Sequence, residues 1–241
     1  MRPSVLGRSR ARSFEARLRV LSAIVVVIGA LAFISAAQAI EITKHSRDND
    51  RVNAILLSGD IEPDDLYRLQ VFITKLPNKP RTSVILNSRG GKIDEGIKLG
   101  RFFYRAKIET IIMKGAECLS ACALAFLGGR DARNGKHSRT KSSAGVLGFH
   151  SFSKSFDREK AYSADDMAAL VQDAQNKVLD IADYLADIDT NLDFLRVMIR
   201  ASSSTMNIVS NDEALAADIR VWDEQEQALV SPDNILDILR R

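Results

Sequence analysis

In the run Lys114-Gly-Ala-Glu-Cys-Leu-Ser-Ala-Cys-Ala-Leu-Ala-Phe-Leu-Gly-Gly129, a small-residue turn delivers one serine, Ser120, to the start of an apolar helical stretch. Thirty residues further on, Gly148-Phe-His150 closes an apolar, strand-like run with a histidine. A serine hydroxyl is a weak nucleophile until a base comes within hydrogen-bond reach. The start of a helix also offers unpaired backbone N–H groups that can hold a developing oxyanion, and the N–H of Ala121 is one. Nucleophilic acyl chemistry by a Ser120–His150 pair is therefore the sharp reading. The plain alternatives are a helix-capping serine and a satisfied interior imidazole. His45 and His137 stand in polar segments and are read as exposed.

A second feature is Leu86-Asn-Ser-Arg-Gly-Gly91, where paired glycines separate a strand-like run from a helical one. Glycine accepts positive φ and lets a ligand approach the backbone closely, so the N–H of Gly91 could be a further oxyanion donor. An ordinary tight turn explains it equally well. A phosphate loop is not supported, because no Gly-Lys-Ser/Thr ending follows. Cys118 and Cys122 bracket Ser120 and could form a disulfide, although four-residue spacing on a regular helix strains such a link. A zinc site from Cys118, Cys122, His137 and His150 has acceptable cysteine spacing but needs ligands from a helix, a loop and a strand. No metal or other cofactor is expected, since serine–histidine chemistry requires none.

Strands alternate with helices around these residues. Val52–Leu57, Ser83–Leu86, Thr110–Met113 and Gly145–Phe149 read as buried strands, with short closing strands near Val221–Trp222 and Leu229–Val230. Pro63–Lys75 and a stretch from Ile93 to about Ala106 have helical periodicity. The basic segment Arg130–Ser143 reads as a loop. Ser163 to about Ala201 reads as one long helical stretch opened by Ser163 and Asp166, and Ser210-Asn-Asp-Glu213 spells a capping box. Such alternation implies parallel β units and a layered α/β domain.

Residues 1–39 precede that domain. Arg2, Arg8, Arg10, Arg12, Arg17 and Arg19 form a basic start, Leu21–Phe33 an apolar stretch, and Ala37-Gln38-Ala39 a small-x-small cleavage pattern. The alternative is a retained membrane anchor over residues 21–39. Six arginines against Glu15 give this segment +5, and the whole chain carries +3, so residues 40–241 carry −2. The basic character belongs to the leader, and nucleic-acid binding is excluded as a reading. Residues 40–241 are enough for one well-buried domain outside the cytoplasm.

The order of these parts resembles the Clp protease proteolytic subunit and, more broadly, the Clp/crotonase-like superfamily. The resemblance rests on Leu-Leu-Ser-Gly-Asp-Ile61, Leu-Asn-Ser-Arg-Gly-Gly91, Gly-Ala-Glu-Cys-Leu-Ser-Ala-Cys-Ala123 and Gly-Phe-His150, and spans Val52 to Val221. Periplasmic members of that superfamily, with cysteines beside the serine, look most similar. The resemblance implies a layered fold of repeated β-β-α and βα units with a C-terminal helical segment. It implies Ser120 as nucleophile, His150 as base, Gly91 and Ala121 as oxyanion donors, and a homo-oligomer. Ser210-Asn-Asp-Glu-Ala214 is similar to a late family segment that a triad aspartate precedes. Here Ala201-Ser-Ser-Ser-Thr205 contains no acid, and Asp189 or Asp193 would have to substitute. Arg89 replaces a proline common in the family.

Together these readings give an expectation: an exported, ATP-independent serine peptidase acting on short or unfolded peptides. The rival is a non-catalytic binding or scaffold domain, favoured by the missing acid. Acyl-thioester chemistry in the crotonase style has little support, because acyl-CoA substrates are cytoplasmic.

Overall fold

Val84, Ile85 and Leu86 are buried on both faces of their strand, the pattern of a parallel sheet covered on each side. The computed structural model describes residues 40–47, 49, 51–151, 161–200, 202, 205–232 and 234. The leader expected over residues 1–39 lies outside the described residues. Among those described, no helix is long and apolar enough to cross a membrane. From Ile40 onward they fall in one compact unit.

The chain is mixed α/β, with a mostly parallel central sheet. In chain order, β1 is Glu41–Lys44, β2 Val52–Ser58, α1 Asp65–Thr74, β3 Arg81–Asn87 and α2 Ile93–Ala106. Then come β4 Glu109–Ile112, β5 Glu117–Leu119, α3 Ala121–Leu127, β6 Arg139–Ser142 and β7 Val146–Phe149. The remainder is α4 Ala164–Asp187, α5 Asp193–Arg200, β8 Asn207–Ile208, α6 Asn211–Ala216, β9 Arg220–Asp223 and β10 Ala228–Val230. One sheet runs β1-β2-β3-β4-β6-β9-β10, antiparallel only at its two outer pairs. A second, smaller sheet runs β5-β7-β8.

Helix α3 explains its own composition. Every residue from Ala121 to Leu127 is buried, and a Cβ on Gly96 of α2 would come within 2.4 Å of the Ala121 carbonyl oxygen. Small residues on both helices let them approach that closely. The Tyr184 hydroxyl of α4 donates to the Leu124 carbonyl at 2.6 Å, so α3 is held from a third side. The serine turn thus leads directly into a fully buried helix of the core.

Two expectations are corrected. The basic stretch Arg130–Ser143, read as a loop, contributes β6 to the middle of the main sheet. Its residues Arg-Thr-Lys-Ser hide the strand because buried polar side chains replace the usual apolar ones. Arg139 donates to Thr190, Lys141 to Asn211 and Ser142 to Glu224 at 2.6 Å. Burial lowers the Arg139 guanidinium to about 10, leaving it a cation at neutral pH. The single helical stretch expected from Ser163 to Ala201 is two helices. Asp189 has a φ of 51°, and the Asn191 side chain accepts from the Asp193 N–H at 2.9 Å, so one helix ends and the next begins with its own turn. The capping box spelled at Ser210/Glu213 forms, and the helix start expected at Ser163 and Asp166 is itself a capping box.

Candidate active site

Strand β5 carries the chain into the serine, a short element the sequence reading had folded into the turn. It is held on both sides. On one side Ser88 donates to the Glu117 carbonyl at 2.7 Å and accepts from the Leu119 N–H at 3.0 Å. On the other, β7 pairs with it in parallel, and the Ser120 N–H donates to the Gly148 carbonyl at 3.0 Å. Ser120 itself has φ 55° and ψ −120°. That conformation costs a residue with a Cβ about 1–3 kcal/mol and persists only where the surroundings enforce it. The side chain makes no capping bond to α3, so the helix-cap reading of Ser120 is set aside. Its hydroxyl is left for other work.

The Ser88–Gly91 loop passes directly over this turn. A Cβ on Gly90 would lie 2.8 Å from Ser120 Cβ and 3.2 Å from the Ala121 nitrogen. Gly90 and Gly91 have φ of 111° and 138°, conformations open to glycine. The loop is pinned from above by Ile61, whose N–H donates to Gly90 and whose carbonyl accepts from Lys92. Neither the Gly91 N–H nor the Ala121 N–H donates to any group among the described residues. Ala121 opens α3 and has no intrahelical acceptor. Two unspent backbone donors therefore belong to this turn and the loop over it: Ala121 directly after the serine, and Gly91 directly after the Gly90 that packs on it.

His150 follows the last residue of β7. Its Nδ1 lies 2.7 Å from the Ser151 carbonyl oxygen, an acceptor that fixes the proton on Nδ1 and leaves Nε2 as the basic nitrogen. Ser120, Ala121 and His150 line one cleft of about 30 Å³, walled by Ile93, Leu124, Phe149, Ile181, Leu195 and Met198. No hydrogen bond joins Ser120 to His150 among the described contacts.

Among the described residues, no carboxylate contacts the imidazole, whose Nδ1 faces the Ser151 carbonyl. Asp189 instead accepts from the Tyr104 hydroxyl, and Asp193 contacts Asn191 and Arg196. Neither supplies the third group that the sequence reading allowed for. The Ser202 and Thr205 hydroxyls lie 3.0 Å apart. Residues 201, 203 and 204 lie outside the described residues. The zinc alternative is overturned, because Cys118 and Cys122 are joined in a disulfide with Cα atoms 5.1 Å apart. The bridge avoids helical strain because Cys118 sits on a strand and only Cys122 on a helix. His137, expected to be exposed, is largely buried between Asp218 Oδ2 at 3.1 Å and the Ile188 carbonyl at 3.0 Å, with both ring nitrogens engaged.

Two larger cavities, of about 650 and 490 Å³, meet around His137, Asp189 and Asp218. Size alone would favour them, yet their polar groups are largely paired with one another, and the strained serine with free donors is elsewhere. Asp131, on the wall of the larger one, is bound by Arg133 through both carboxylate oxygens, at 3.1 and 2.6 Å. The Arg133 hydrogen bond holds its carboxyl well down, from 3.8 to about 2. A folded-state value below the unfolded one stabilises the fold above pH 3.8, and that stabilisation drains away as pH falls through about 2. Asp131→Asn is therefore expected to unfold at lower denaturant concentration than wild type at neutral pH. That gap should close towards pH 2, and a gap independent of pH would contradict the assignment.

A comparison with protein-family models matches none of them, and a comparison with curated proteins finds no relative. The functional reading accordingly rests on the site.

Proposed function

We propose that this chain is an exported Clp/crotonase-like serine hydrolase, a peptidase of short or unfolded peptides. The observation that carries it is Ser120, held at positive φ with an uncapped hydroxyl next to the free Ala121 N–H and directly under the Gly90–Gly91 loop. Ser120 Oγ attacks the substrate carbonyl, and His150 Nε2 takes the proton and returns it to the leaving amine. The Gly91 and Ala121 amides stabilise the oxyanion. The apolar cleft walls suit an apolar side chain next to the scissile bond, and its small volume asks for local opening as substrate enters. ATP-driven unfolding has no supply outside the cytoplasm, which restricts substrates to chains that are already extended. Labelling of Ser120 by a fluorophosphonate is the direct test.

The rival reading is a binding or scaffold domain that keeps the fold and the serine without turnover. It is favoured by the bare carbonyl behind His150 and by the absence of a described Ser120–His150 hydrogen bond. Apo sites often tighten such bonds only with substrate bound.

Export and homo-oligomerisation complete the proposal. The sequence of residues 1–39 supports the first, and the exposed apolar side chains Met167, Val171 and Leu179 on α4 support the second. Protein from the extracytoplasmic fraction is expected to begin at Ile40 by intact mass and to scatter light as an oligomer. A full-length membrane-embedded species would favour the anchor over residues 21–39, and a monomer mass at micromolar concentration would remove the assembly claim.

A further inference from the structure

The disulfide encloses Leu119, Ser120 and Ala121, so its loop contains both the nucleophile and one of the two oxyanion donors. Its ends are anchored unequally. Cys118 lies in a strand paired on both sides, with Leu147 of β7 and with Ser88. Cys122 lies in the first turn of α3. Strand β5 has three residues and α3 seven, too little regular structure to impose a disfavoured conformation at the residue between them. The covalent link supplies the missing constraint. With β5 fixed, a rotation about the Ser120 N–Cα bond that relaxed φ would swing Ser120 Oγ and the Ala121 N–H together, and the bridge to Cys122 opposes it.

We propose that Cys118 and Cys122 are positioning residues of this site, their disulfide holding Ser120 and the Ala121 amide in register for attack. The inference rests on the serine hydrolase reading. Both cysteines are fully buried, so the bond is a permanent staple of the folded protein and is closed to bulky reductants. It forms as the chain folds under oxidising conditions, and protein folded without it should be native in outline yet slow at the serine.

Two preparations lacking the bond test this: the Cys118→Ala/Cys122→Ala variant, and wild-type chain refolded under reductant with its thiols counted. Each is compared with oxidised wild type for circular dichroism, fluorophosphonate labelling rate, peptide turnover and amide hydrogen exchange over residues 119–124. A displacement of about 1 Å can cost about 10²-fold in rate. Labelling and kcat are therefore expected to fall by about that factor, with KM little changed. Exchange should rise in residues 119–124 and stay constant in β2 and β3. Folded preparations that label at the wild-type rate with unchanged exchange would overturn the role and leave the hydrolase reading intact. If oxidised wild type does not label at all, the hydrolase reading fails, and exchange alone then decides: faster exchange at Ser120 and Ala121 supports the staple, and unchanged exchange removes it. Failure of both preparations to fold would make the bond a requirement of the whole fold and would overturn its local role.

Discussion

Ser120→Ala and His150→Ala are each expected to abolish fluorophosphonate labelling and peptide cleavage, and the double variant to be no worse than either. Groups that act as one unit are non-additive, so the second loss costs nothing once the first has disabled the pair. Absolute turnover is expected to be low even in wild type. In a complete triad, loss of the acid can cost about 10⁴ in turnover, largely through the tautomer and the unsupported imidazolium. Here the Ser151 carbonyl fixes the tautomer by accepting from Nδ1, but it is a neutral acceptor and stabilises the cation less than a carboxylate does. If folded wild-type protein neither labels nor cleaves peptides between pH 6 and 9, the hydrolase claim is wrong and the binding-domain rival replaces it.

Gly91→Ala is expected to damage both the fold and the site. Its Cβ would come 2.1 Å from the Ile61 carbonyl oxygen, 2.8 Å from the Ile61 nitrogen and 2.9 Å from the carbonyl carbon. All three are backbone atoms of a segment hydrogen-bonded to both neighbours of Gly91, and φ is 138°, so neither rotation nor a flexible side chain can relieve the clash. The loop must lift away from Ile61, and the Gly91 N–H moves with it. Losing one oxyanion donor alone costs about 10² to 10³ in turnover. Adoption of the strained backbone costs a further ~1–3 kcal/mol of stability. Thermal unfolding and kcat should therefore fall together. Gly135→Ala gives the control: its φ is also positive, at 70°, but a Cβ there meets only the end of the Arg130 side chain at 3.5 Å. That variant should lose a little stability and no activity. A Gly91→Ala protein with wild-type turnover would remove Gly91 from the oxyanion site.

How much of this was legible beforehand follows from which signals are local. The order Gly-Gly91, Ser120, His150 is written in residue types flanked by apolar runs, and the helix start at Ser163 and the capping box at Ser210 are spelled in four residues each; all of these survive in the structure. The chain also fixed α2 and α3 through their small and apolar residues, because helical periodicity is a property of neighbours three and four apart. What long-range contact decided was invisible in that register. Arg139-Thr-Lys-Ser142 reads as loop because the partners that make it a central strand, Thr190, Asn211 and Glu224, come from distant parts of the chain. Strand β5 is three residues long and exists because Ser88 and β7 flank it. That strand in turn takes Cys118 off the helix and makes the bridge to Cys122 compatible with the turn, where spacing alone had argued against it. The conformation of Ser120 belongs to the same class. No local preference places a serine at φ 55°; the crossing of β5, α3 and the glycine loop, with the bridge from Cys118 to Cys122 across the turn, surrounds it there. Sequence thus determined which residues could do the chemistry, and tertiary packing decided which of them are strained, bridged or left without a partner.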